Sequence, residues 1–191
     1  TSTGNSSTAL AYGVQQVPEM QAHLFCGREF APRNAYCDHP RVHLHAVDGD
    51  AVQSEVAARQ FAQNHNLLFE GGFFNVARRE GLKLAYLETF DALAPDEPDV
   101  IVQAVSSGMG LYGGYRGMRE YQRMGRLQKT PRFVCAQQET CAPMVQAWSE
   151  GSPTIQPQHI ICNPCGLAEA ILRGDPTQTY PYMYELVRAT Q

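Results

Sequence analysis

The stretch Val100-Ile101-Val102-Gln103-Ala104-Val105-Ser106-Ser107-Gly108-Met109-Gly110-Leu111 reads as a strand, a loop of small residues and the start of a helix. Its apolar half is short and continuous, which suits a parallel strand buried on both faces, and Leu111 to Arg123 carries helical spacing of apolar and polar residues. That order makes an anion cradle. Glycine and serine let the backbone approach a bound group closely, while the unpaired amides and the positive dipole end of the helix point at its negative charge. A phosphate is the natural guest. Any tight strand-to-helix turn in an α/β protein also wants small residues, so a plain turn is the competing reading.

Around this stretch lies a chain of 191 residues, 43% hydrophobic, with a net charge of -4. It is long enough for one generous domain or two small ones. The slight acidity offers no basic footprint for nucleic acid, and no apolar run approaches the roughly 18 residues of a membrane span, so neither partner is expected. With no charged, apolar leader at the N-terminus, a reducing cytoplasm is the expected compartment, and the six cysteines are expected to be mostly thiols. Thr1 opens directly in a Gly/Ser loop and Gln191 follows a helix-like segment without a stop signal; the expectation is an internal segment of a longer protein.

Ser2-Thr3-Gly4-Asn5-Ser6-Ser7 is a second small-residue loop, opening a helix through Leu10, Val14 and Val17 that Pro18 limits. Strands are expected at His23 to Cys26, at Val42 to Val47 and at Leu67-Leu68-Phe69, with Arg28 to His39 irregular. Asp50 and Gln53 suit a capping box for a helix to about His65, with Val52, Val56 and Phe61 on its buried side. Phe73 to Gly81, rich in glycine and charge, reads as a loop at a domain hinge, followed by a helix from Lys83 to about Leu93. Beyond the central strand, the pattern predicts a strand over Arg132 to Ala136 and helices over Ala142 to Trp148, Leu167 to Leu172 and Tyr182 to Ala189. Strands alternating with helices call for a parallel sheet covered on both faces.

Other clusters have two readings each. His43 and His45 share one side of a strand and form a metal pair or a solvated strand face, and no Asp, Glu or Cys stands at suitable spacing beside them, so no metal is expected. Cys162-Asn163-Pro164-Cys165 is half a zinc site, a redox pair or incidental thiols. Arg78-Arg79 would clamp a phosphorylated or sulfonated substrate in bidentate fashion, or pair with Glu80 or Glu88. The five aromatics from Phe69 through Phe90, Phe73, Phe74 and Tyr86 among them, read as core rather than as a stacking platform.

Taken together and in order, Ser2-Thr3-Gly4-Asn5, then Glu70-Gly71-Gly72-Phe73-Phe74-Asn75-Val76-Ala77-Arg78-Arg79-Glu80-Gly81, then Gln103 to Gly110 resemble the middle of a pyridoxal-phosphate enzyme of the tryptophan synthase β, or fold type II, superfamily. Within it the chain is similar to the threonine synthase group, and the hinge and glycine-loop wording to cysteate synthase. The resemblance implies an incomplete α/β fold of two Rossmann-like three-layer lobes with mainly parallel sheets: residues 1–72 as a small lobe bearing the substrate loop, residues 73–191 as part of a large cofactor-binding lobe. It also implies pyridoxal 5'-phosphate as cofactor, a small-molecule amino-acid substrate and a homodimeric parent.

By the same resemblance Asn5 would bond the cofactor's ring hydroxyl, and Ser2, Thr3, Gly4 and Ser6 would hold the substrate carboxylate. Ser106, Ser107, Gly108, Met109 and Gly110 would cradle the cofactor phosphate; Met109 stands where relatives often have a Thr or Asn, which removes a side-chain bond but no amide. Arg78 or Arg79 is the candidate for the substrate's anionic group. The Schiff-base lysine of such enzymes precedes the Ser-Thr-Gly-Asn loop, and the chain's two lysines, Lys83 and Lys129, both follow it in other contexts. No catalytic residue is therefore assigned, and this chain alone is expected to be inactive. The activity implied for the parent is a lyase or synthase that eliminates or replaces phosphate on an O-phospho amino acid: O-phosphohomoserine as in threonine synthase, or O-phosphoserine with sulfite as in cysteate synthase. A noncatalytic ligand-binding or regulatory module is the reading from another class.

Overall fold

A computed structural model of the chain describes residues 4–49 and 51–191; the side chains of Ala51 and Val52 are also outside the description. Ser2 and Thr3 of the first loop, Asp50 of the expected capping box and the side chain of Val52 thus lie outside the described residues. The chain is α/β with small parallel sheets and falls into two compact units, Thr1–Glu70 and Gly71–Gln191. Val42–Val47 and Val100–Ala104 sit in separate two-stranded sheets. Among the described residues, no helix is long and apolar enough to cross a membrane.

In the first unit, α1 (Asn5–Gln16) buries Ser7, Ala11 and Val14, one helical face. It ends at Val17, whose extended backbone (φ -121°, ψ 105°) is what the following Pro18 favours. β1 (Ala22–Gly27) and β2 (Val42–Val47) pair in parallel from Ala22↔Val42 to Gly27↔Val47. Alternation sends Ala22, Leu24 and Val42 to Ala11 and Val14 of α1. The other face presents His23, Phe25 and His45 to Phe61 of α2 (Ala51–Asn64). The histidine face is therefore not the solvated strand face that the sequence suggests: His43 is exposed, but His23 and His45 are half-buried beneath α2.

Leu67-Leu68-Phe69 is not a strand. Asn66 takes the left-handed conformation (φ 51°), and the amides of Leu67 and Asn66 donate to the Ala62 and Gln63 carbonyls at 2.8 and 3.3 Å. That pair of bonds is a Schellman cap, so these residues are the exit of α2. Leu68 is 94% exposed, and Phe69 lies under the Arg59 guanidinium at 4.3 Å.

The second unit opens with Gly71 and Gly72, both at positive φ, and a 3₁₀ turn over Gly72–Phe74. α3 then runs Val76–Leu93, starting well before the expected Lys83. Asn75 is its N-cap, and its side chain accepts from the Arg78 amide at 3.0 Å, enough to initiate the helix through the charged run that reads as loop. Gly81 in its interior costs roughly 1 kcal/mol, and close packing on α4 (Met109–Arg123) offsets it. A Cβ on Gly113 of α4 would lie 2.8 Å from Leu82 Cβ and 3.2 Å from the Arg79 carbonyl oxygen, and one on Gly114 would lie 2.6 Å from the Tyr86 ring.

β3 (Val100–Ala104) pairs in parallel with β4 (Arg132–Ala136), joining Ile101↔Phe133 and Gln103↔Cys135 on one face. That face meets a core of Phe133, Leu111, Met118, Tyr180 and Met183. The opposite face is not buried: Val100 and Val102 are 42% and 65% exposed, so β3 is covered on one side where the apolar run suggested both. α5 (Pro143–Ser149) and α6 (Tyr180–Ala189) fall near their expected places, whereas Leu167 to Leu172 forms only a 3₁₀ turn over Glu169–Ile171 with Leu167 fully exposed. Of the aromatics expected in the core, Phe73 and Phe90 are buried, Tyr86 packs at its edge and Phe74 is 46% exposed.

Candidate functional site

Among the described residues, each unit carries an α-helix that opens on a glycine, and these are the two loops singled out in the sequence. In the first unit Gly4 is the N-cap of α1 with φ 144° and ψ -59°, a conformation that L side chains rarely adopt. A Cβ there would lie 3.3 Å from both Cβ and the carbonyl oxygen of Arg33. The segment behind it is fastened to the first turn: Ser7 Oγ donates to the Gly4 carbonyl at 2.9 Å and meets Asn34 Oδ1, the Ala35 amide donates to Thr8 Oγ1 at 3.1 Å, and Asn34 Nδ2 donates to the Phe30 carbonyl at 2.7 Å. Asn5 is exposed and Ser6 half-buried at the opening. No acidic residue stands in the first turn, so the positive end of α1 is not neutralised from within.

In the second unit Gly108 caps α4 in the left-handed conformation (φ 81°, ψ 6°), again with no acid in the first turn and no side-chain cap. The helix starts when the Tyr112 amide donates to the Gly108 carbonyl at 2.9 Å, which leaves the amides of Met109, Gly110 and Leu111 without intrahelical acceptors. A Cβ on Gly108 would lie 2.1 Å from Met183 Sδ, and one on Gly110 would lie 2.5 Å from Gln103 Nε2. Met183 of α6 thus backs the loop from one side and the Gln103 amide from another, and Gln103 Oε1 is buried with no partner. Met109 turns its side chain to the core, so it brings an amide to the loop and no polar group. Ser106 and Ser107 are half-exposed. Backbone amides at a helix start, small side chains and a glycine that a Cβ would spoil suit a phosphate monoester dianion.

Arg78 and Arg79 lie in the first turn of α3, not in a loop. The Arg79 guanidinium sits over the rings of Phe73 (5.8 Å) and Tyr112 (5.3 Å), the latter in α4's first turn, so the structure brings Arg79 into the same unit and next to the same helix start as the Gly108 loop. Glu80, the expected partner of the arginines, pairs instead with Lys83 and Arg116, each at 2.6 Å. Lys83 also bonds Glu120 at 2.6 Å, and these carboxylates, Glu120 foremost, hold its ammonium above the ordinary range. Asp99 does the same to Lys129 at 3.0 Å. Cys162 and Cys165 are exposed thiols, and no group of three metal-ligating side chains is gathered among the described residues. Sequence reasoning missed Asn34, Gln103 and Met183, which come to the two loops from distant segments and carry no local signature.

The family model "Pyridoxal-phosphate dependent enzyme" matches residues 1–187. The chain belongs to that family. The threonine synthase of Methanosarcina acetivorans is 28% identical over 176 residues, 92% of this chain and 42% of that protein. The cysteate synthases of Methanoregula boonei and Methanosphaerula palustris are 34% and 35% identical over 118 and 112 residues, covering 61% and 58% of this chain but 28% and 26% of their own lengths. The chain therefore spans about a quarter to two fifths of the length of these curated relatives. The family's cofactor is pyridoxal phosphate, and the Gly108 loop has the donors its phosphate needs.

Proposed function

We propose that the protein is a threonine synthase-like enzyme that eliminates or replaces phosphate on an O-phospho amino acid, with O-phosphohomoserine and water as the first reaction. Cysteate synthase-like replacement on O-phosphoserine with sulfite is the second reading, favoured by the cysteate synthases at 34% and 35% identity. The observation that carries the proposal is the pair of glycine-opened helix starts, one in each unit, both free of acid in the first turn.

The cofactor, when bound, supplies an electron sink for charge developing on the amino acid. This chain's residues bind and orient. The amides of Ser106 to Gly110 take the cofactor phosphate, backed by Met183 and Gln103. Asn5 takes the ring hydroxyl, and the amides of Gly4 and Ser6, with Ser2 and Thr3, take the substrate carboxylate. Arg79, held flat by Phe73 and Tyr112, takes the substrate's anionic group, with Arg78 beside it. Unit one then serves as the substrate-loop lobe and unit two as part of the cofactor lobe, with Gly71-Gly72 as hinge; the working enzyme is a cytoplasmic homodimer.

The test is phosphate release by the full-length protein given O-phosphohomoserine, and O-phosphoserine with and without sulfite. Turnover of the first supports the threonine synthase reading, sulfite-dependent release supports the second, and no release from either rejects both in favour of a noncatalytic ligand-binding module.

A further inference from the structure

Four of the chain's six histidines gather on one face of the first sheet. His23 stands in register with His43, and Phe25 with His45, so the parallel pairing itself assembles them. His23 stacks on His43 with ring centroids 4.6 Å apart and on His45 at 5.3 Å, while His45 stacks on Phe25 at 4.4 Å. From α2, Phe61 lies against His23 and His45 at 4.8 and 5.2 Å and stacks on His65, one turn on, at 4.1 Å. Within the stack His23 Nδ1 and His45 Nε2 face each other at 3.0 Å.

Two imidazole nitrogens at hydrogen-bond distance need one proton between them: one ring donates and the other accepts, so the accepting ring must be neutral at that nitrogen. Protonating both puts N–H against N–H and two like charges a ring's width apart. Among the described residues, no acid is placed to relieve this. The titratable groups acting on His23 are the imidazoles of His43 and His45 from β2 and of His65 just past the end of α2. The other charged groups on the neighbouring elements are engaged elsewhere or turned to solvent: Glu55 and Arg59 of α2 pair at 2.7 Å, Arg28 pairs with Asp48 beyond β2, Arg33 lies over the Phe30 ring and Glu29 is exposed. α1 packs on the opposite face and contributes no acid or base.

We infer that the His23–His45 pair under α2 is a proton-sensitive clasp: it joins β1 to β2 and seats Phe61 of α2 on the two rings while at most one proton is shared, and acidification releases both the pair and the helix packed on it. Burial, then the neighbouring imidazoles, hold His23 below its ordinary range, and burial with His43 does so for His45, in keeping with this geometry. Because the folded rings bind protons less readily than the unfolded chain, the stabilisation is complete above the unfolded value of about 6.5 and is lost progressively as pH falls from there through the lower folded values. A ring kept neutral in the closed state raises the opening equilibrium about tenfold between pH 7.5 and 5.5, and two such rings about a hundredfold.

The experiment is hydrogen exchange by mass spectrometry on the whole chain at pH 7.5 and 5.5, corrected for intrinsic exchange, comparing α2 peptides with α4 peptides. The expected result is an α2 opening equilibrium raised about tenfold or more at pH 5.5 with α4 not following, and a smaller rise in His45→Phe, where a ring still stacks on Phe25 but His23 alone of the pair is left to titrate. Imidazole proton titration of the unsubstituted chain is the companion measurement, with His23 and His45 expected to titrate below 6.5. Unchanged α2 protection, or midpoints at or above 6.5 for both rings, overturns the inference even if the variant fails to fold.

Discussion

Replacing Gly108 with alanine should injure the phosphate loop in two separable ways. An L side chain in the left-handed region costs roughly 1–2 kcal/mol. The new Cβ would also sit 2.1 Å from Sδ and 2.6 Å from Cγ of Met183, which is 2% exposed. Overpacking of that kind costs about 1–3 kcal/mol, for a total of roughly 2–5 kcal/mol. Met183→Ala alone should cost about 2–5 kcal/mol through the cavity it leaves. In the double variant the collision is gone and only the backbone term of Gly108→Ala remains, so the pair should be more stable than the sum of the singles by about 1–3 kcal/mol. The assay is urea unfolding followed through Trp148, the only tryptophan, whose ring lies 5.2 Å from Tyr184 on the same helix as Met183. Phosphate titration of each variant reports the loop itself. Additivity within about 0.5 kcal/mol would refute the claim that Met183 backs Gly108.

Gly113→Ala and Gly117→Ala gain the same helix propensity, about 1 kcal/mol, but meet different neighbours. At 113 the Cβ strikes α3 backbone and the fixed Cβ of Leu82, whereas at 117 its nearest contact is Leu87 Cδ2 at 3.2 Å, the movable end of a side chain. Thermal unfolding should therefore rank Gly113→Ala below wild type and Gly117→Ala at or above it; equal effects would contradict the packing account. Incubation with pyridoxal phosphate and borohydride, read by mass spectrometry, should give no specific adduct on Lys83 or Lys129, because their carboxylate partners keep both amines protonated. A stoichiometric adduct at either would show the ion pairs to be weaker than drawn. Iodoacetamide at pH 7.5 should label exposed Cys162 and Cys165 while sparing Cys135, whose thiol burial pushes up to about 11. Rapid labelling of Cys135 would reverse that assignment.

What could be read from the sequence was what local chemistry fixes. β2 and β4 stand where alternating and continuous apolar runs put them, α1 stops where Pro18 requires, and the Gly108 loop follows its strand because a left-handed turn needs glycine at that point. The resemblance to the pyridoxal-phosphate family rested on three such local stretches, and the family match covers them all. Misreadings came where one residue outweighed its neighbours. Asn75 starts a helix through Arg78-Arg79-Glu80-Gly81, a run that looks like loop by composition; Asn66 ends another and turns three apolar residues out of the sheet. The burial of Val100 and Val102 was misjudged because an apolar run shows that a strand is apolar and not which faces are covered. Gln103, Asn34 and Met183 reach their loops through tertiary packing, which leaves no trace in residue spacing.

The contact of α3 on Gly113 has a consequence for how the second unit tolerates change. Helices separated by leucines and methionines can slip by an ångström as rotamers readjust, but a main chain resting on a bare Cα has no moving parts to absorb an error. The carbonyl of Arg79 stands against Gly113 in this way, only one turn from the start of α4, so the arginine and the mouth of the glycine loop behave like two features machined from one block. Grafting α3 from a relative without its matching α4 should therefore fail through misalignment, even if every side chain at the seam were conservatively matched.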